Sequence, residues 1–132
     1  MLVYPMSTSS GSRLLRFFAN ATLAYPLIVV GLFYGEWFLA WHVLGHEPRV
    51  SDDDPKFIDG SSWMHDITLL ALTGILPVGV ASIVTNVVYI VRDRPSAAQA
   101  GIRLQTLVAL WLGMFVLVFC DLYYPVGEWW FD

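Results

Sequence analysis

His42, His46 and His65 fall where long apolar runs meet a polar loop, with Glu36 and Asp66 close to them in the sequence. Imidazole and carboxylate groups are the ones that trade protons near neutral pH and ligate metals, haem or pigments. His42 and His46 stand four apart, so on an unbroken helix both would share one face at metal-ligand spacing. Gly45 lies between them, however, and a glycine there is expected to end the helix and separate their directions. These three histidines are the candidate cofactor-binding residues. The competing reading is of interfacial imidazoles hydrogen-bonded to lipid headgroups or water.

Glu36 sits between Gly35 and Trp37 near the end of an apolar run. An ionisable group in a membrane is costly and often functional, whereas at the interface it is cheaper. Its readings are an interfacial anchor or subunit contact, or a proton or ion site. Asn86 lies on one stripe with Ser82 and Gly79, at spacings of four and three. Small and amide residues on one face suit close helix packing and interhelical hydrogen bonds, so this stripe is expected to hold helices together. The Asp52–Asp53–Asp54 run lacks the alternating ligand spacing of a calcium loop and reads as a solvated acidic segment, and no metal is assigned to any residue. No Ser/His/Asp order, phosphate-cradling glycine loop or HExxH motif occurs, so no catalytic residue is assigned.

The elements that must carry these residues follow from composition and length. The chain has 132 residues, enough for one domain; 57% are hydrophobic and 14% charged, and mean hydropathy is +0.61. Soluble domains usually carry about 25% charged residues. Apolar stretches of ~20 residues match a hydrocarbon layer of ~30 Å. The expected fold is therefore an all-α membrane protein with three transmembrane helices over about 14–44, 63–91 and 97–122. Residues 45–62 are an acidic loop, 123–132 an aromatic tail, and 1–12 a loosely ordered tail.

The first run is longer than the hydrocarbon requires and must tilt, kink at Pro26 or project beyond it. Gly45 and Pro48 are its stop signals. Pro77 interrupts the second run, where neighbouring groups must satisfy the carbonyl it leaves free. Ser96 and Gln99 form a capping box for the third, with Pro95 breaking the chain just before it. The single cysteine, Cys120, excludes an intrachain disulfide and is expected as a small packed side chain. Arg13 and Arg16 are followed too soon by Ala19–Asn20–Ala21 for a cleavable signal peptide, so the first helix is read as uncleaved.

Orientation follows from the basic residues beside the spans. Arg13, Arg16, Arg92, Arg94 and Arg103 fall on one side, against Arg49 and Lys56 on the other. The richer side is expected in the cytoplasm, giving a cytoplasmic N-terminus and a periplasmic C-terminus. Trp37, Trp41, Trp63, Trp129 and Trp130 then gather at the outer boundary, where indole rings suit the headgroup layer as interfacial anchors. No basic stripe suggests nucleic acid.

The segment GEWFLAWHVLGHEPRVSDDDPKFI, Gly35 to Ile58 and about a fifth of the chain, resembles a loop of small bacterial inner-membrane proteins with a GH-x-PR…DDPK pattern. That resemblance implies a bacterial inner membrane and attaches no activity. Three functions compete. One is an accessory or assembly subunit of a larger membrane complex, respiratory or photosynthetic in kind. Another is a small homo-oligomeric channel or transporter using Glu36 and Asn86. The third is a membrane cofactor or metal binder using the three histidines. Expected partners are lipids and either other membrane proteins or further copies of this chain.

Overall fold

The computed structural model describes residues 10–49, 52–54, 56–58, 62–120 and 126–131. It is all-helical over these residues: α1 Ser10–Leu44, α2 Ser62–Thr73, α3 Ile75–Asp93, α4 Ala97–Phe119 and α5 Val126–Phe131. Three helices are long and apolar enough to cross a membrane, α1 from Gly11, α3 and α4. Large apolar side chains point outward on each of them, among them Leu27, Leu76, Val80, Val108 and Leu112. Such a surface is unfavourable in water and suits lipid. The chain is a multi-pass membrane protein.

α1 is the central element and touches all four other helices. Its 35 residues make a rod of about 52 Å, so it outruns a ~30 Å hydrocarbon layer. It starts at Ser10, earlier than the tail expected over 1–12 allows; residues 1–9 of that tail lie outside the described residues. Pro26 is fully buried within the helix and does not divide it. The stop is at Gly45, whose φ of +72° is strained for any residue with a Cβ. Its N–H closes onto the Trp41 carbonyl at 3.0 Å.

The second span, expected as one helix over 63–91, is two helices parted at Gly74. The cause lies three residues further on. Pro77 has no N–H for the Thr73 carbonyl, and its ring crowds that carbonyl, so the ladder fails just before it. The Gly74 N–H is shared between the Leu70 and Ala71 carbonyls at 3.2 Å each, and the Tyr25 hydroxyl of α1 donates to the Ala71 carbonyl. Glycine is required there because a Cβ would stand 2.2 Å from that hydroxyl oxygen. Tyr25 thus fastens α1 to the kink.

α3 ends on Arg94 in the left-handed region (φ 46°), with its N–H on the Ile90 carbonyl at 3.1 Å. The capping box is present at the start of α4: Ser96 Oγ accepts from Gln99 N–H at 3.3 Å, and Gln99 Oε1 from Ser96 N–H at 3.2 Å. α4 ends at Phe119, short of the expected 122. Cys120 caps it and is exposed rather than packed, just past the last helical residue.

The chain turns back across α1 at each loop, so the α1 C-terminus, the α2 start and α5 gather at one end. The described core clusters toward that end: Val29, Phe33, Trp37 and Ala40 of α1 with Met114 and Val118 of α4 and Val126, Trp129 and Trp130 of α5. The other end holds the α1 N-terminus and the tight turn between α3 and α4.

Candidate functional site

Glu36 is completely buried, eight residues before the end of α1 and so about 12 Å inside it. Its carboxylate receives two groups from distant parts of the chain. Trp130 Nε1 of α5 donates to Oε2 at 2.8 Å, and His65 Nδ1 of α2 stands 3.0 Å from Oε1. One proton lies between that nitrogen and oxygen, so the pair is joined by a single hydrogen bond. The His65 ring also stacks on the Trp130 indole, with centroids 4.7 Å apart and an interplanar angle of 25°. His65 is itself 5% exposed, so carboxylate, imidazole and indole form one enclosed unit.

Local sequence explains each placement. α1 carries Phe33, Glu36, Trp37 and Ala40 on its buried face, a three-and-four spacing that turns the carboxylate inward with the core aromatics. α2 shows the same pattern at lower cost: only His65 and Thr68 of its side chains are buried, and Thr68 satisfies its hydroxyl on the Met64 carbonyl at 2.8 Å. α5 is short, yet Trp129 and Trp130 are 2% and 8% exposed. Trp129 Nε1 donates to the Asp53 carbonyl, tying α5 to the acidic loop. In that loop Asp53 Oδ2 accepts from Arg49 N–H and Asp54 Oδ1 from Lys56 N–H, both at 2.9 Å, so the carboxylates close turns of the chain.

The three candidate histidines do not meet. His42 is exposed on the last turn of α1, while His46 lies past the Gly45 cap, with Nδ1 2.9 Å from the Glu47 carbonyl and 3.9 Å from Asp53 Oδ2. His65 alone is buried. Among the described residues no group of three or more His, Cys, Asp or Glu side chains is arranged to hold a metal ion. Of the tryptophans expected as interfacial anchors, Trp63 is exposed and Trp41 half-buried, while Trp37, Trp129 and Trp130 are buried where α5 packs on α1.

A second polar cluster lies at the opposite end. Asn86 of α3 is fully buried; Nδ2 donates to the Ser82 carbonyl at 2.7 Å and reaches the Ala19 carbonyl of α1 at 3.4 Å. Its Oδ1 accepts from Arg103 Nε of α4 at 2.6 Å, and Arg103 Nη2 donates to Asn20 Oδ1 of α1 at 2.9 Å. The same guanidinium lies over the Tyr89 ring, 4.4 Å from its centroid. Arg16 and Asp93 pair beside it at 2.7 Å, and Thr22 meets Thr85 at 3.3 Å. The Gly79–Ser82–Asn86 stripe does face other helices, with Gly79 under the Trp111 ring of α4.

Sequence reasoning named Glu36, His65, Asn86 and Trp130 separately, and missed Asn20 and the central part played by Arg103. Glu36 and His65 are 29 positions apart, and Glu36 and Trp130 are 94 apart. Neither a helical period nor a motif window spans such distances. For Arg103 a signal existed: it stands seven positions after the Ser96 cap, already inside an apolar helix where a charge needs a partner.

The chemistry open to the Glu36 unit is limited by its enclosure. A carboxylate and an imidazole 3.0 Å apart can hold and exchange a proton, and the same pair can equally bind α1, α2 and α5 together. Among the described residues, surface clefts are lined by Leu23, Tyr89 and Arg103, by Val43, Asp53 and Phe57, and by Gly79, Leu107 and Trp111 with their neighbours, and Glu36 and His65 line none of these.

Fold and site together define a small helical membrane protein stitched by a buried polar cluster at each end. Set against known protein families, curated proteins and solved structures, the chain matches none of them.

Proposed function

We propose that this chain is a non-catalytic accessory or assembly subunit of a larger membrane protein complex. Its setting in this reading is a bacterial inner membrane, with the arginine-rich end in the cytoplasm and the acidic loop and α5 in the periplasm. One observation carries the reading: the buried ionisable residues Glu36 and His65 are joined to each other and to Trp130, while the outward faces of α1, α3 and α4 carry large apolar side chains. A protein whose buried carboxyl–imidazole pair is enclosed by its own helices presents helix faces rather than a reaction centre. The resemblance of the Gly35–Ile58 segment supports the bacterial membrane, and the basic-residue asymmetry supports the orientation.

The test is a mild-detergent pull-down of the tagged protein from its own membranes, with partners identified by mass spectrometry. The expected result is recovery with defined membrane proteins at fixed stoichiometry. Recovery alone, or only as copies of itself, overturns the reading. Orientation is checked by labelling Cys120 from either side, because the thiol is exposed at the α4 C-terminal end. Labelling from the cytoplasmic face would reverse the topology.

The buried Glu36–His65 pair favours a second reading, a proton site in a small homo-oligomeric transporter. It expects proton flux in liposomes that is lost in Glu36→Gln. Absence of flux in the wild type removes it.

A further inference from the structure

We propose that the groove beside Arg103 binds the headgroup phosphate of an anionic phospholipid. The groove holds about 410 Å³ and is formed where α1, α3 and α4 converge, with Leu23, Tyr89, Ile102, Arg103 and Thr106 in its wall. Among the described residues, Arg103 is the one charged side chain lining it.

The guanidinium is held but not neutralised. Its partners are two amide oxygens and a phenol ring, all without net charge. Among the described residues no carboxylate lies within 4.0 Å of it; Asp93, the acid at this end, is taken by Arg16 at 2.7 Å. Of the five N–H groups on an arginine, the bonds to Asn86 and Asn20 use two, leaving three for a ligand. A planar fork with free donors matches phosphate geometry better than a point charge does. Fixing that fork in advance lowers the ordering cost of binding.

Depth and surroundings select a lipid as the source of the phosphate. Arg103 is six residues past the first residue of α4, about 9 Å along the helix, which suits the border between headgroups and acyl chains. The groove pairs its cation with apolar walls, Leu23 on α1 and Ile102 on α4, as an amphiphile requires. Arg13, Arg92 and Arg94 are exposed at the same end and raise the local positive potential. A basic residue in reach of an anionic headgroup contributes about 1 kcal/mol, or about fivefold in affinity, and Arg103 is the one placed in the groove wall. The inference needs no partner subunit and stands apart from the proposed function.

The test uses the full chain in nanodiscs of mixed phosphatidylglycerol and phosphatidylcholine, followed by native mass spectrometry of the lipid that stays bound after detergent transfer. The wild type is expected to retain phosphatidylglycerol over phosphatidylcholine, and Arg103→Gln to lose about fivefold of that preference. Arg103→Lys keeps the charge without the fork and is expected to fall between them. Ile102→Trp leaves every bond of Arg103 in place while filling the groove, so it separates lipid loss from misfolding; it too is expected to lose the preference. Arg92→Gln is expected to keep most of it. Retention unchanged in both Arg103→Gln and Ile102→Trp overturns the site. Inorganic phosphate that displaces the phosphatidylglycerol at millimolar concentration overturns the lipid as its occupant.

Discussion

At the α1 C-terminal end a carboxyl group is buried with a hydrogen-bond partner on each oxygen; at the N-terminal end the hydrogen bonds of a guanidinium go to neutral groups. The two clusters share the same central helix, and Asn20 and Glu36 are about 24 Å apart along it. They differ in what surrounds the charge. Glu36 has no exposed surface, so its partners must come from the protein itself, and α2 and α5 are folded over it to supply them. Arg103 is half-buried beside an open groove, so part of its partnership is left to the surroundings. A buried charge stripped of one partner costs several kcal/mol, whereas a long cationic side chain near a headgroup layer can reach out of the hydrocarbon. One cluster therefore serves folding, and the other is open to lipid.

Substitutions sharpen this contrast in a definite order. The largest effect is expected for Glu36→Ala, which strands His65 and the Trp130 indole N–H at once. Two buried polar groups left without a partner are expected to cost about 2–5 kcal/mol together. Chemical unfolding in detergent, read by tryptophan fluorescence, would measure it, and a loss below that of Asn86→Ala would break the comparison. Trp130→Phe keeps a ring over His65 but removes one hydrogen bond to the carboxylate, so about 1.5–3 kcal/mol is expected in the same assay. Protease resistance of the α5 segment should fall in parallel.

Asn86→Ala, at the other end, removes three hydrogen bonds, two of them to other helices. Polar contacts between membrane helices average about 0.6 kcal/mol, so the expected loss is about 1–2 kcal/mol. The smallest effect is expected for Arg16→Gln. The guanidinium is half exposed, and an exposed pair adds little once water screens it. Thermal unfolding should not move measurably, and a clear shift would show that the Arg16–Asp93 pair carries more of this end than Asn86 does.

Much of the fold was legible in the chain. The spans follow from apolar length, the α4 start from Ser96, Pro95 and Gln99, and the α1 stop from Gly45, because each is a property of a few neighbouring residues. Pro77 announced a disturbance in the second span. That the disturbance became a break at Gly74 depended on the Tyr25 hydroxyl, forty-nine positions earlier by the numbering, taking the Ala71 carbonyl and leaving no room for a Cβ. The indole rings of Trp129 and Trp130 suit a headgroup layer and a protein core equally well. Their placement was decided by α5 packing back onto Phe33 and Glu36.

The sequence by itself determined that the chain is helical, where its three apolar runs lie and how several helices begin and end. These are local matters of hydropathy, backbone freedom and missing donors. Only the tertiary structure decided which polar residues became partners. Glu36, His65 and Trp130 come from three helices, as do Asn20, Asn86 and Arg103, and a buried charge finds its partner through the packing of helices rather than through spacing along the chain.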